Sequence, residues 1–133
     1  MTWNPDTRFA PVTGDVVTHF ENELTAWAVT VQGKRPDVMP QRLVTVADTG
    51  GPQSVGTRLA DLIGNVWADN MTDAWNLTSD TITAARTLPG VGDIKAVSGI
   101  VGPREVEDAP ALTFDGNLLY HFYFTFTALV KGN

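Results

Sequence analysis

The clearest pattern in the chain is an alternation of apolar and polar positions near the C-terminus. One set of alternate positions is Leu118, Tyr120, Phe122, Phe124, Phe126 and Ala128. The intervening set is Leu119, His121, Tyr123, Thr125, Thr127 and Leu129. A period of two predicts a strand whose first set lies on a core. The second set contains both apolar and polar residues, which is typical of a face that is partly exposed to solvent or contacts another subunit.

Two other segments have the period of an amphipathic helix. Thr13 to Asp15 can cap the first helix, which we expect to run for about four turns and to end before Gly33. Its apolar stripe is Val16, Phe20, Leu24 and Trp27. Asp69 or Asn70 can cap the second helix, which Pro89-Gly90 ends. Its buried face is predicted to be Ala74, Leu77, Thr81, Ala84 and Leu88.

Three further segments, 42–48, 59–68 and 94–101, are rich in β-branched or apolar residues and predict strands. Gly64 indicates a bulge or a close backbone approach within the second of them. Gly102-Pro103 is expected to stop the third, so that a solvated loop follows from Arg104 to Ala111.

Trp67 and Trp75 flank the turn into the second helix, and we expect them to pack together. The order helix, strand, strand, helix, strand, strand predicts a two-layer α+β domain. Two helices would pack on one face of an about four-stranded, mostly antiparallel sheet.

The chain divides into residues 1–12, an extended N-terminal arm, and residues 13–133, a single domain. Pro5 and Pro11 disfavour regular structure in the arm, and Trp3 and Phe9 give it apolar anchors. These anchors can dock on the arm's own domain or on a neighbouring subunit.

The amino-acid composition excludes several classes of function. The 133 residues include no cysteine, which excludes disulfides and thiolate chemistry, and 43% are hydrophobic, enough for a packed core. The net charge is −6 and no basic run exceeds Lys34-Arg35, so specific nucleic-acid binding is not expected. No apolar segment approaches the ~20 residues of a membrane helix, and the N-terminal residues do not form a signal peptide.

The main enzymatic alternative rests on Asp48. A carboxylate after an apolar strand, followed by Thr49-Gly50, is similar to the active-site loop of retroviral-type aspartic proteases, where two chains each supply one Asp. Gly51-Pro52 follows where that family has Ser or Ala, and no downstream apolar-Gly segment has the required position. The other interpretation is that this segment merely turns the chain.

The remaining polar residues give weaker signals. His19 and His121 lie on different predicted elements without a metal-like partner nearby, so we interpret them as surface or interface histidines. Glu105, Glu107 and Asp108 fit a solvated loop better than a hard-cation site. We therefore predict no catalytic residue, no metal and no cofactor.

The ordered set of elements from about Asp15 to Gly132 resembles the tail terminator proteins of long-tailed, siphovirus-type bacteriophages. The matching features are a strand ending Thr49-Gly50-Gly51, a strand ending Val66-Trp67-Ala68-Asp69, a helix ending Leu88-Pro89-Gly90, a strand closing at Gly102-Pro103, and the aromatic strand Tyr120-His-Phe-Tyr-Phe-Thr-Phe before Lys131-Gly132. The Leu59–Asn65 segment departs from the pattern, because Leu62-Ile63 breaks the alternation.

The resemblance implies a structural virion protein rather than an enzyme. It implies a homo-oligomer, a six-membered ring that caps the tail tube, stops its polymerisation and receives the head-completion or connector protein. DNA would pass through the bore without specific binding. The protein would be assembled in the host bacterial cytoplasm and reside at the head–tail junction of the virion. Another head–tail joining or minor tail protein is the alternative.

Physical reasoning adds two expectations to the ring. Six copies at −6 each carry a formal charge of −36, and we expect part of this charge to line the bore and repel moving DNA. A ring forms through a heterologous contact only if the rotation between neighbouring subunits brings the last copy back to the first. The candidate interface residues for subunits or tube are Trp3, Phe9, Gly50, Gly51, Ser54, His121, Tyr123 and Thr125.

Overall fold

The computed structural model describes residues 12–54 and 56–131, with the side chains of Gln53 and Ser54 outside the description. The fold is α+β, as predicted. The helices are α1 (Val12–Glu23) and α2 (Met71–Arg86), and a 3-10 turn, Thr25–Trp27, follows α1. The strands are β1 (Thr30–Gln32), β2 (Arg42–Gly50), β3 (Gln53–Ser54), β4 (Thr57–Ala68), β5 (Ile94–Val106), β6 (Thr113–Phe114), β7 (Asn117–Leu118) and β8 (Tyr120–Lys131).

The main sheet is mixed, with the strand order β1-β2-β4-β8-β5 and β3 as a short branch on β4. Its four long strands are antiparallel neighbours, as expected, whereas β1 pairs in parallel with β2. A separate two-stranded sheet, β6-β7, was not expected. We call it the hairpin.

Both helices pack on one face of this sheet. Phe20 of α1, Leu77 of α2 and Phe124 of β8 belong to one buried cluster, together with Val66 of β4. The cluster contains the predicted inward set of the last strand from Phe124 to Ala128, and Val130 extends it. Because strand side chains alternate, the intervening residues lie on the opposite face, which we call the open face.

The first helix is shorter than predicted. It ends at Glu23, and Trp27 of the expected stripe lies in the 3-10 turn. Ala28 then adopts a left-handed conformation (φ 50°), which redirects the chain into β1. The β-branched run Val29-Thr30-Val31 favours a strand over a further helical turn. The same run was missed as a strand, since three residues are too few to show a period.

The third predicted strand does not stop at Gly102-Pro103. β5 continues to Val106, so the expected loop from Arg104 to Ala111 loses its first three residues to the strand. A proline is tolerated here because β5 is an edge strand and its register with β8 shifts between Val101 and Arg104.

The expected contact between Trp67 and Trp75 is wrong. Trp67 lies on the open face, where its ring stacks on His121 with a centroid distance of 4.2 Å. Trp75 meets the edge of Phe122 on the helix side of the sheet, at 5.7 Å. The two tryptophans are adjacent in the path of the chain, but the sheet separates them.

Candidate functional site

The middle of the open face carries side chains that are only partly buried. Ile63 of β4 pairs with Ala47 of β2 and Thr125 of β8. One step along, Asn65 pairs with Tyr123. Ile63, Tyr123 and Thr125 are half-buried, because both described helices pack on the other face. This surface combines polar hydroxyls with exposed apolar area, a composition suited to contact with another protein.

One end of the open face is covered. Leu43, Trp67, Leu119 and Met39 form a second buried cluster, against which Leu112 and Phe114 pack from beside and within the hairpin. We call this end of the molecule the hairpin end. Residues 107–119 therefore do more than connect β5 to β8, because they close the sheet over a small core of its own.

A polar network fastens this covering segment to the sheet. Both oxygens of Asp108 accept hydrogen bonds, one from Trp67 Nε1 at 3.0 Å and one from His121 Nδ1 at 3.0 Å. The other ring nitrogen of His121, Nε2, lies 2.7 Å from Oδ1 of the Asn65 side-chain amide. His121 itself is 8% exposed.

The proton positions in this network follow from its partners. A carboxylate only accepts, so Nδ1 carries a proton and donates it to Asp108. Burial lowers the pKa of His121, with a smaller contribution from Arg35, and together these outweigh the opposing effect of Asp108. In the neutral ring Nε2 is an acceptor, so its short contact with Asn65 Oδ1 becomes a hydrogen bond when the Asn65 amide is assigned the other way round, with its NH2 group donating to the ring. With both nitrogens engaged, His121 anchors the structure and is not positioned to take a proton from a substrate.

Asp48 lies at the far end of β2 in a partly buried ion pair. Its two oxygens accept from both terminal nitrogens of Arg58, each at 2.6 Å, and one also accepts from the Gly50 backbone N–H. Burial would raise the pKa of Asp48, but these hydrogen bonds and the Arg58 charge hold it below its usual value. An aspartic protease requires two carboxylates that share a proton. A carboxylate clamped by a guanidinium is poorly suited to that chemistry.

The glycines after Asp48 shape the backbone at this end. Gly50 has φ +111° and Gly51 has φ +136°, conformations that side-chain-bearing residues rarely adopt. A Cβ on Gly51 would also collide with the carbonyl of Leu59. These residues let β2 turn into β3, so the predicted turn function of the segment fits its geometry.

Two surface depressions flank the hairpin end. One, of about 560 Å³, lies between the 37–39 loop and the segment from Ala111 to Asp115. The other, of about 310 Å³, runs between Glu105–Asp108 and Leu118–His121. We call the second depression the acidic groove. Both are bounded by the segment that Asp108 holds in place.

The candidate residues do not form a single site. Gly50 pairs with Asp61 of β4 at one end of the sheet, and His121 pairs with Trp67 at the opposite end. Tyr123 and Thr125 lie between these two ends on β8. Ser54 belongs to β3, and its side chain is not described. Trp3 and Phe9 lie outside the described residues.

Sequence reasoning missed the partners of His121. Asp108 is 13 positions away and Asn65 is 56 positions away, so no local spacing links them. One local signal was available. Asp115-Gly116, between short apolar segments, is a strong hairpin signature, and both residues have positive φ. Recognising that signature would have predicted the hairpin, but not that it packs over the sheet.

No protein-family model matches the chain, and a search of curated proteins finds no match. Among the described residues, no group of three or more His, Asp or Glu side chains is arranged to hold a metal ion. No helix in the same residues is long and apolar enough to cross a membrane.

Proposed function

We propose that this protein is a structural subunit of a phage tail, which caps the tail tube as a ring and joins it to the head connector. The observation that carries the proposal is the half-buried middle of the open face, centred on Ile63, Tyr123 and Thr125. A two-layer domain leaves one sheet face uncovered, and an assembly can bury that face against a second subunit or the tube.

The polar groups of the chain support a non-catalytic role. Asp48 is paired with Arg58, and both ring nitrogens of His121 have partners. The resemblance in the order of elements supplies the step from an assembly subunit to a tail terminator. The six-fold ring, the tube below and the connector above belong to the proposal on that ground.

The decisive experiment removes the protein from the phage that encodes it. Without a terminator, the tube protein continues to polymerise, so we expect tails of irregular and excessive length without heads attached. Electron microscopy of purified particles measures both features. Complementation with the wild-type chain is the control and restores uniform, headed tails.

The same particles distinguish the alternative. Tails of normal length that fail to join heads would point to another head–tail joining protein. Normal headed tails would exclude both assignments. A gold-labelled copy located at the head–tail junction is expected, whereas a label along the tube or at its tip would indicate a minor tail protein.

A further inference from the structure

The middle of the open face carries two opposite charges. Among the described residues that pair between the Tyr123 and Thr127 levels of β8, Asp61 and Arg104 are the charged side chains on this face. Both are exposed, and Arg104 forms no ion pair with a described residue. The chain as a whole has a net charge of −6. This part of the surface is therefore neutral within an acidic protein, so two copies can meet there without local repulsion.

The two charges are placed symmetrically about Thr125. Asp61 of β4 pairs with Thr127, two residues beyond Thr125 in one direction. Arg104 of β5 pairs with Tyr123, two residues away in the other direction. Directly paired residues of antiparallel strands share a face, and strand spacing and rise put the two charged residues roughly 16 Å apart. Because the two side chains cannot span that distance along one sheet, they do not pair within one copy.

A two-fold rotation between two facing copies brings the charges together. The axis lies between the faces, passes through Thr125 and is perpendicular to the line from Asp61 to Arg104. It sets Asp61 of each copy opposite Arg104 of the other. It also sets Ile63 opposite Tyr123, so that the half-buried apolar area of each face meets that of the other. The strands of the two sheets then cross steeply, closer to the orthogonal than to the aligned class of sheet packing.

A depression beside Asp61 provides room for the incoming cation. It has a volume of about 250 Å³, and Asp61, Ile63 and Thr125 are among the residues that line it. Thr127 Oγ1 donates to Asp61 Oδ1 at 2.9 Å, which holds the carboxylate on this face. A guanidinium that enters the depression can donate to the same carboxylate, as arginine commonly does at interfaces.

A second copy fits this pair of charges better than the chain's own N-terminal segment does. Residues 1–11 precede Val12, which is buried in the cluster on the helix side, across the sheet from the open face. Their charged side chains are Asp6 and Arg8. These are two residues apart and their Cα atoms span at most about 7 Å. The charges on the open face are more than twice as far apart, which is the separation that another copy reproduces.

We propose that the free protein forms a dimer in which two open faces pack about this two-fold axis, with two reciprocal ion pairs between Asp61 and Arg104. Such an isologous contact is complete with two copies. It therefore goes beyond the proposed ring, which needs a different contact. The middle of one sheet face is a small interface, so the dimer dissociates on dilution. Assembly on a tail would replace it with the contacts of the ring or the tube.

Sedimentation velocity of the full-length protein over a range of concentrations measures this dimer. We expect the mean mass to rise with concentration from that of one chain toward that of two. Asp61→Arg and Arg104→Asp should each weaken the dimer about tenfold or more, because both attractive pairs become repulsive. An equal mixture of the two variants should restore it, since each mixed dimer again contains two pairs of opposite charge.

Lys95→Asp is the matched control for Arg104→Asp. Lys95 is exposed near the other end of β5, and the rotation gives it no partner on the facing sheet. This variant should dimerise like the wild type and should not restore dimers when mixed with Asp61→Arg. Recovery with Arg104→Asp but not with Lys95→Asp would show that the pairing is specific and that the charge-reversed variants are folded.

A protein that stays monomeric at every concentration would overturn the proposal, as would a dimer that neither reversal weakens or that mixing does not restore. Maleimide labelling of Thr125→Cys identifies the other occupants, because the natural chain has no cysteine. In a monomer, a protected thiol would indicate residues 1–11 of the same chain, and a reactive thiol a face that only the tail covers. These results leave the terminator assignment standing, since it fails separately if tails made without the protein keep their normal length.

Discussion

Gly64 shows how one missing side chain sets the packing of the core. A Cβ at this position would lie 2.5 Å from two ring carbons of Phe124, which is fully buried. The sequence indicated a bulge or a close backbone approach here. The structure has the close approach and no bulge at Gly64, because the register runs on continuously on both sides of the Val46–Gly64 and Gly64–Phe124 pairs. The ring occupies the space that a side chain at 64 would take.

We expect Gly64→Ala to lower the free energy of unfolding by about 1–3 kcal/mol, because the buried ring must shift to admit the methyl group. Urea denaturation followed by far-UV circular dichroism measures the change. Gly14→Ala is the matched control. Gly14 lies in α1, and a Cβ added there would meet no atom within 4 Å, so this substitution should stabilise by about 0.5–1 kcal/mol. Equal effects at the two sites would contradict the packing argument.

The Asp48–Arg58 pair is a second feature at the scale of single residues. The two side chains are 20% and 13% exposed, so removing the carboxylate leaves a largely buried cation. Asp48→Asn should therefore cost about 2 kcal/mol of unfolding free energy. Asp93→Asn, at a half-buried acid whose side chain has no described partner, should cost less than about 0.5 kcal/mol.

The pKa of Asp48 gives the same pair a pH signature. Because its pKa is lowered on folding from 3.8, the unfolded chain binds this proton more readily. The stabilisation is fully present above pH 3.8 and is lost as the pH falls through the lower folded pKa. Asp48→Asn should remove this part of the acid destabilisation, which denaturation curves between pH 5 and 2 would detect.

Protonation of His121 lowers the stability of the protein in a different pH range. Its pKa is lowered on folding from 6.5, so the neutral form is favoured in the native state. The unfolding free energy should be constant with respect to this group above pH 6.5 and fall as the pH drops below it. NMR titration of the ring should give a midpoint below 6.5, and His121→Gln should flatten stability in that range. A midpoint above 6.5 would mean that Asp108 outweighs burial.

At the scale of elements, the start of α2 is set by one side chain. Asn70 Oδ1 accepts from the Asp73 backbone N–H at 2.8 Å, and its amide nitrogen donates to the Asp73 carboxylate at 2.9 Å. Asn70→Ala should cost about 1 kcal/mol of unfolding free energy. Asn76→Ala, on the exposed surface of the same helix, should be neutral or slightly stabilising, as chemical denaturation can show.

The elements that the sequence predicted well are those whose signal is local and long. α2 has an N-capping residue, an apolar face and a terminating Pro-Gly pair, and β8 alternates apolar and polar residues along its twelve positions. β1 and the hairpin strands are two or three residues long, too short to show a period of their own, and the signature of the hairpin lies in its Asp115-Gly116 turn. The continuation of β5 past Pro103 was missed for a related reason. A proline stops a central strand, and the sequence does not say which strand lies at the edge.

At the scale of the whole molecule, the sequence predicted the two layers of helices and sheet. It did not predict which part of the second sheet face is covered and which part stays open. Helices on one face of an antiparallel core follow from the apolar stripes. The cover over the hairpin end depends on Asp108, Asn65 and Trp67, which come together only when β4 and β8 pair. That pairing turns His121 from a candidate interface residue into a buried anchor. It leaves Tyr123 and Thr125 as the half-buried part of the predicted set on the open face.

Under the proposed function, this remaining open face gives the whole molecule its sharpest test. Thr125→Lys places a long cation at the centre of the face, beside Ile63. In the isolated subunit the cation stays in water, so the unfolding free energy should change by less than about 1 kcal/mol. In an assembly that buries the face, the cation has no partner and should prevent capping. Asn76→Lys adds the same charge on the exposed surface of α2 and should cap normally. Tail lengths in phage carrying each variant measure the difference, and uniform tails with Thr125→Lys would show that assembly does not bury the open face.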